Sequence, residues 1–248
     1  LGGIHPRTIS NESDGTLDLE TVEKKIRASD LHYPPTRLIA LENTHNYCMG
    51  SPIKPEYMQQ AGNLAKRYNL QIHVDGARIF NAAVAMEVDV KDLVSEADSV
   101  MFCLSKGLSA PVGSLVCGNK EFINKARKWR KMVGGGMRQS GHLAAAGIIA
   151  LNELVDELKK DHSNAQALAQ GLAGLKGIVL KPELIKTNII FFRLEHPTLS
   201  PEIFLKKLES QGIKILMMQA GVFRAVLHRE ISESQIERVI HTSEELTK

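Results

Sequence analysis

Apolar positions along the chain fall into short continuous runs that alternate with stripes at helical spacing. Residues 18–28 carry Leu19, Val22 and Ile26 on one helical face, so a helix is expected there. Residues 37–41 form a short apolar strand. Residues 55–68 predict a helix opened by Pro55, tolerated in a first turn whose N–H groups lack helical partners. Residues 71–74 predict a strand ending at Asp75-Gly76, and residues 99–104 a buried strand ending at Ser105-Lys106-Gly107. Residues 113–117 predict another strand and 121–132 a helix.

After Gly134-Gly135-Gly136, one long helix is expected from Met137 to about Lys160. It begins with the small residues Ala144, Ala145, Ala146 and Gly147, which suit close packing against another helix or subunit. A helix to about Leu175 follows, then strands at 178–180 and 188–192 and a helix over 201–211. Strands near 213–216 and 222–227 precede a final helix from Ser232. Alternating strands and helices predict an α/β fold. Its large domain, residues 1–155, has a mainly parallel sheet; a smaller α+β domain spans residues 156–248.

Composition narrows the class. With 43% hydrophobic and 24% charged residues and a net charge of +3, the chain is of ordinary globular type. Cys48, Cys103 and Cys117 share no CxxC spacing, which disfavours a disulfide framework and points to a reducing compartment, the cytoplasm. No apolar run reaches membrane-spanning length, and no signal peptide is visible. The sequence opens on Leu1 rather than Met, which leaves a targeting peptide ahead of it open. The basic stretch at 125–131 reads as a solvated helix face backed by Phe122, Ala126 and Trp129. Without an aromatic platform or a second basic stripe, no nucleic acid is expected as partner. Neither a GxGxxG fingerprint nor a P-loop occurs, and no cluster has metal-ligand spacing.

The candidate chemistry lies in Asp75 and Lys106. Each follows an apolar strand and precedes a glycine. Ligands of open α/β sheets sit beyond the carboxyl ends of the strands, so both side chains are expected at one crevice. A lysine amine forms a Schiff base with an aldehyde. A carboxylate beside a pyridine nitrogen keeps it protonated, so that the ring accepts electrons. Taken singly, each residue is more often an ordinary strand-end charge.

The surrounding segments change that balance. They are His73-Val74-Asp75-Gly76-Ala77-Arg78, Phe102-Cys103-Leu104-Ser105-Lys106-Gly107, Leu41-Glu42-Asn43-Thr44-His45-Asn46, Ala110-Pro111-Val112-Gly113-Ser114 and Gly134-Gly135-Gly136-Met137-Arg138-Gln139. With them the chain resembles the threonine aldolase family of enzymes dependent on pyridoxal 5'-phosphate (PLP), of the aspartate-aminotransferase fold type.

The resemblance implies that Lys106 holds PLP, Asp75 pairs with its pyridine nitrogen and Arg78 approaches its phenolic oxygen. It implies that Arg138 lies near the cofactor phosphate at a subunit boundary, at the start of a helix. His32 matches the histidine that contacts the substrate β-hydroxyl, and Arg224 the arginine that receives the substrate carboxylate. The family's threonine before His228 is Leu227 here. His45 is expected to hold the turn after its strand.

The implied activity is retro-aldol cleavage of the small-molecule amino acid L-threonine or L-allo-threonine to glycine and acetaldehyde, in a homodimer or homotetramer. The same site also suits β-elimination, racemisation or transamination. Family members further carry an N-terminal segment with a Gly-Thr phosphate-binding turn and a histidine that stacks on the ring. Leu1-Gly2-Gly3-Ile4-His5 supplies neither, so a fragment or a shortened, non-catalytic chain is the other expectation.

Overall fold

A computed structural model of the chain describes residues 2–248. The first helix, α1 (Leu19–Lys25), starts where Asp18 accepts a hydrogen bond from the Thr21 N–H and satisfies one of the free first-turn donors. The first sheet comprises β1 (Leu38–Glu42), β2 (Gln71–Asp75), β3 (Ser99–Cys103) and β4 (Ser114–Gly118), in that order. The first three strands are parallel and β4 is antiparallel.

Parallel neighbours need long crossovers. Here α2 (Pro55–Arg67) lies between β1 and β2, and α3 (Ile79–Met86) between β2 and β3. Ile39, Leu41, Ile72 and Val74 alternate along their strands and bury against Met58, Ala61 and Leu64 of α2. Each such side chain contributes about 1.5–3 kcal/mol by leaving water. The parallel direction of β1, β2 and β3 puts their carboxyl ends, where the chain turns polar, at one rim of the sheet.

The second sheet is antiparallel, in the order β5 (Ile178–Val179), β6 (Ile189–Leu194), β8 (Val222–Val226), β7 (Leu216–Gln219). It packs with α6 (Leu158–Ala173), α7 (Pro201–Ser210) and α8 (Glu233–Thr247). Three phenylalanines centre its core. Phe192 and Phe223 stack at 5.2 Å, and Phe204 meets them edge-on at 6.4 and 5.4 Å. A reciprocal cap between Ser232 and Gln235 starts α8.

The structure corrects several expectations. The single helix expected from Met137 to Lys160 is two helices, α5 (Gly141–Glu153) and α6, broken over residues 154–157. The break lets α6 serve two cores. Leu158 packs with Leu104 and Leu108, whereas Ala165, Leu168 and Leu172 pack on the second sheet. The strand expected at 213–216 lies at Leu216–Gln219. α3 was not expected, because its sequence is apolar almost throughout and shows no one-sided stripe. The helix over the basic stretch, α4 (Lys120–Met132), has no buried residue. Phe122 and Trp129 are 37% and 51% exposed, so the chain does not bury the apolar backing expected behind its lysines and arginines.

Candidate active site

The carboxyl ends of β1, β2 and β3 share one rim of the first sheet, since these strands are parallel and adjacent. β1 ends at Glu42 and continues into a turn tied together by its own side chains, although the buried Thr44 hydroxyl has no hydrogen-bond partner among the described residues. The Asn43 side chain donates to the Ile53 carbonyl at 3.1 Å and accepts from the Ile53 N–H at 3.0 Å. His45 is buried. Its Nδ1 accepts from the Cys48 N–H at 3.2 Å, and its Nε2 lies 3.7 Å from Glu42 Oε2. His45 thus closes the turn, as its place after the strand predicts. The other Glu42 oxygen accepts from the Asn46 N–H at 3.0 Å.

This turn docks on the second sheet through Gly50. Its φ is +66°, and a Cβ there would lie 2.4 Å from Thr187 Oγ1. The Thr187 hydroxyl instead donates to the Gly50 carbonyl at 2.7 Å. The docking brings Asn46 to Arg224 on β8, which donates from Nη2 to Asn46 Oδ1 at 2.7 Å. Arg224 Nε is buried without a hydrogen-bond partner among the described residues.

β2 ends at Asp75, which pairs in register with Glu42 on one side and Met101 on the other. Its exposed carboxylate accepts from the Ala77 N–H at 3.1 Å. Gly76 donates to the Met101 carbonyl at 2.8 Å, and a Cβ there would collide with that same oxygen. Glycine is therefore required for β2 to leave the sheet beside β3. Arg78 follows. Burial and the nearby Arg224 push its guanidinium below the usual arginine range, while Glu42, Cys103 and Asp75 oppose that shift. Burial lowers Arg224 in the same direction. Two partly desolvated guanidinium groups in one place favour an anionic ligand.

β3 leads through Cys103 and buried Leu104 to exposed Ser105 and Lys106. The Lys106 carbonyl accepts from the Ser109 N–H at 2.9 Å and closes a tight loop. A Cβ on Gly107 would lie 2.7 Å from Leu158 of α6 and 3.5 Å from Asn81 Oδ1 of α3, so the loop seats against both helices. The Asn81 amide donates to His162 Nε2 at 3.0 Å and meets Asn188 Oδ1 at 3.4 Å. Asn188 in turn donates to the Leu227 carbonyl at 2.9 Å, just past β8. A polar chain thus runs from beside the Lys106 loop to the strand that bears Arg224.

Of the expected site residues, Asp75, Arg78 and Lys106 follow adjacent strands at one rim, and Arg224 meets that rim from the second sheet. His32 lies exposed in the segment between α1 and β1. Its N–H donates to Asp30 at 2.7 Å and its ring meets Tyr33 edge-on at 6.5 Å. Arg138 is exposed and does not begin a helix as expected. α5 starts at Gly141, after Gln139 in a left-handed conformation, which ends any helical path from Arg138. Among the described residues, neither His32 nor Arg138 is hydrogen-bonded to Asp75, Arg78, Lys106 or Arg224. Sequence reasoning did not single out Asn46, Asn81 or His162 as site residues. An amide amid the apolar residues of α3 was the only local signal of Asn81.

The profile of the family described as beta-eliminating lyase matches residues 1–195. Low-specificity L-threonine aldolase 1 of Arabidopsis thaliana is 46% identical over 239 residues, which are 95% of this chain and 67% of that protein. The low specificity L-threonine aldolase of Escherichia coli K12 is 42% identical over 240 residues, 96% of this chain and 69% of that one. A solved structure of Leishmania major threonine aldolase superposes with a TM-score of 0.72 at 19% identity. It covers 93% of this chain and 66% of its own, a likeness of fold. The chain belongs to the beta-eliminating lyase family, with low-specificity threonine aldolases among its relatives.

Proposed function

We propose that this chain is the PLP-binding body of an aldehyde-lyase that cleaves L-threonine or L-allo-threonine to glycine and acetaldehyde. One observation carries the reading. Asp75 ends β2 and Lys106 follows the adjacent parallel strand β3 at one rim, where Arg78 lies near enough to Arg224 to feel its charge. The named activities of the relatives support the substrate class. The rim fits the cofactor. It offers an exposed amine, an exposed carboxylate and two partly desolvated guanidinium groups, one with an unpartnered buried N–H. When bound, PLP supplies an electron sink for the pair released as the substrate Cα–Cβ bond breaks.

The chain's own residues do the rest. Lys106 provides the amine for covalent attachment. Asp75 would keep the pyridine nitrogen protonated, and its carboxylate is exposed at the end of β2. Arg78 holds negative charge at the phenolic oxygen. Arg224 receives the substrate carboxylate on its fork of N–H donors. His32 takes the β-hydroxyl proton, directly or through a water, once its exposed segment meets the substrate. We assign Arg138 to the cofactor phosphate across a subunit boundary in a homodimer or homotetramer. The exposed apolar residues Ile148 and Ile149 of α5 support a subunit contact there. The domain boundary is put at 155/156, beside the break before α6, and the compartment is the cytoplasm.

The test is Lys106→Ala in the full-length protein. The variant is expected to lose both the visible absorbance of lysine-bound cofactor and aldolase turnover. Retention of both overturns the proposal.

A further inference from the structure

Arg224 offers its donors unequally. Nη2 donates to Asn46 Oδ1 at 2.7 Å, whereas Nε is buried and has no partner among the described residues. A buried N–H without an acceptor is costly, so the guanidinium is built for an acceptor that arrives from outside the chain. Asn46 is well placed to aim it. The Asn46 N–H is fixed to Glu42 at the end of β1, and its turn is docked on Thr187 through Gly50. Its backbone is therefore tied to the end of the first sheet while its side chain holds an arginine of the second.

We infer that Asn46 is a positioning residue for the substrate carboxylate: it orients the Arg224 guanidinium with a neutral acceptor and leaves the positive charge and the Nε–H for the ligand. This rests on the reading of Arg224 given above. The neutrality of asparagine is the central point. An aspartate of the same shape would form a charge-assisted pair with Arg224. It would then act as a built-in competitor for every ligand carboxylate. A residue that merely tied the two sheets together would tolerate that replacement, because the hydrogen bond is retained and strengthened.

The experiment compares Asn46→Asp, Asn46→Ala and Arg224→Lys in the full-length holoenzyme. It reads KM and kcat for threonine, the dissociation constant of glycine, bound cofactor and unfolding midpoint. Asn46→Asp is expected to weaken glycine and raise the threonine KM about 100-fold, and Asn46→Ala about ten-fold, the scale set by a competing ion pair and by one lost hydrogen bond. Cofactor content stays at the parent level and kcat falls much less than KM rises. Asn46→Asp is isosteric, so the inference stays testable if the alanine variant folds poorly.

Glycine affinity in Asn46→Asp equal to the parent overturns the inference, as does a loss confined to kcat. If Arg224→Lys weakens glycine but neither Asn46 variant does, the positioning role alone fails. If Arg224→Lys leaves glycine affinity intact, the carboxylate reading of Arg224 fails and takes the role of Asn46 with it.

Discussion

Asp161 and His162 stand side by side at the start of α6, and their surroundings shift them toward neutrality in opposite directions. Asp161 is 1% exposed, and neither carboxylate oxygen has a hydrogen-bond partner among the described residues. Burial pushes its pKa up from 3.8 to about 6, against the opposing charges of His228 and Arg229. Burial also pushes His162 down from 6.5 to about 4, in keeping with its Nε2 accepting a hydrogen bond from Asn81.

The pair makes a linked prediction about stability and pH. Between about pH 4 and 6 the folded chain keeps a proton on Asp161 and none on His162, and the unfolded chain does the reverse. The proton counts cancel, so the pair is silent in the pH profile. Each residue alone is not. The raised pKa of Asp161 gives stability that is lost as pH rises through about 6. The lowered pKa of His162 gives stability that is lost as pH falls through about 4. Relative to the parent, Asp161→Asn should therefore gain on the order of 2 kcal/mol between pH 4 and 6, and His162→Gln should lose a similar amount between pH 4 and 6.5. Denaturant unfolding across that range checks both. Two flat differences would show that neither group is buried in its neutral form.

Gly50 tests how the two sheets are joined. Alanine there meets both a left-handed backbone and the Thr187 hydroxyl at 2.4 Å. Strain of about 1–2 kcal/mol in the backbone and about 1 kcal/mol for the displaced hydrogen bond sum to about 2–3 kcal/mol of lost stability. Because the same turn carries Asn46, the threonine KM should rise as well. Chemical denaturation together with steady-state kinetics measures the two effects, and a Gly50→Ala protein with parental stability and KM would refute this account of the joint.

Asp75→Asn separates chemistry from folding. Asp75 is exposed, and its carboxylate accepts from the Ala77 N–H, a bond that an asparagine oxygen also accepts. The unfolding midpoint should not move. Aldolase turnover should fall roughly 100-fold or more, the scale on which lost electrostatic support of a transition state is felt. Turnover within a few-fold of the parent would remove Asp75 from the role assigned to it.

Much of the first sheet's rim was legible without a structure, for a local reason. A run of apolar residues that stops at a charged residue and a glycine marks the end of a buried strand. This holds for Val74-Asp75-Gly76, and for Leu104 before Ser105-Lys106-Gly107. The helices with caps or one-sided stripes, α1, α2, α7 and α8, were legible in the same way. α3 was not, since a helix buried on nearly all sides carries no stripe. The division between α5 and α6 was not, since helical spacing continues through a turn whose purpose is to reach a second core.

By itself, then, the sequence determined where the buried strands end and which charged residues follow them: Asp75, Lys106 and the arginines near them are properties of short segments. Only the tertiary structure decided which of those residues meet. Arg224 and Asn46 are 178 positions apart and touch because Gly50 allows one turn to settle against Thr187. Asn81, His162 and Asn188 form one polar chain because α3, α6 and the residue leading into β6 converge there. Such contacts depend on how two separately packed cores dock, and that is a matter of shape and buried polar pairing that no local spacing encodes.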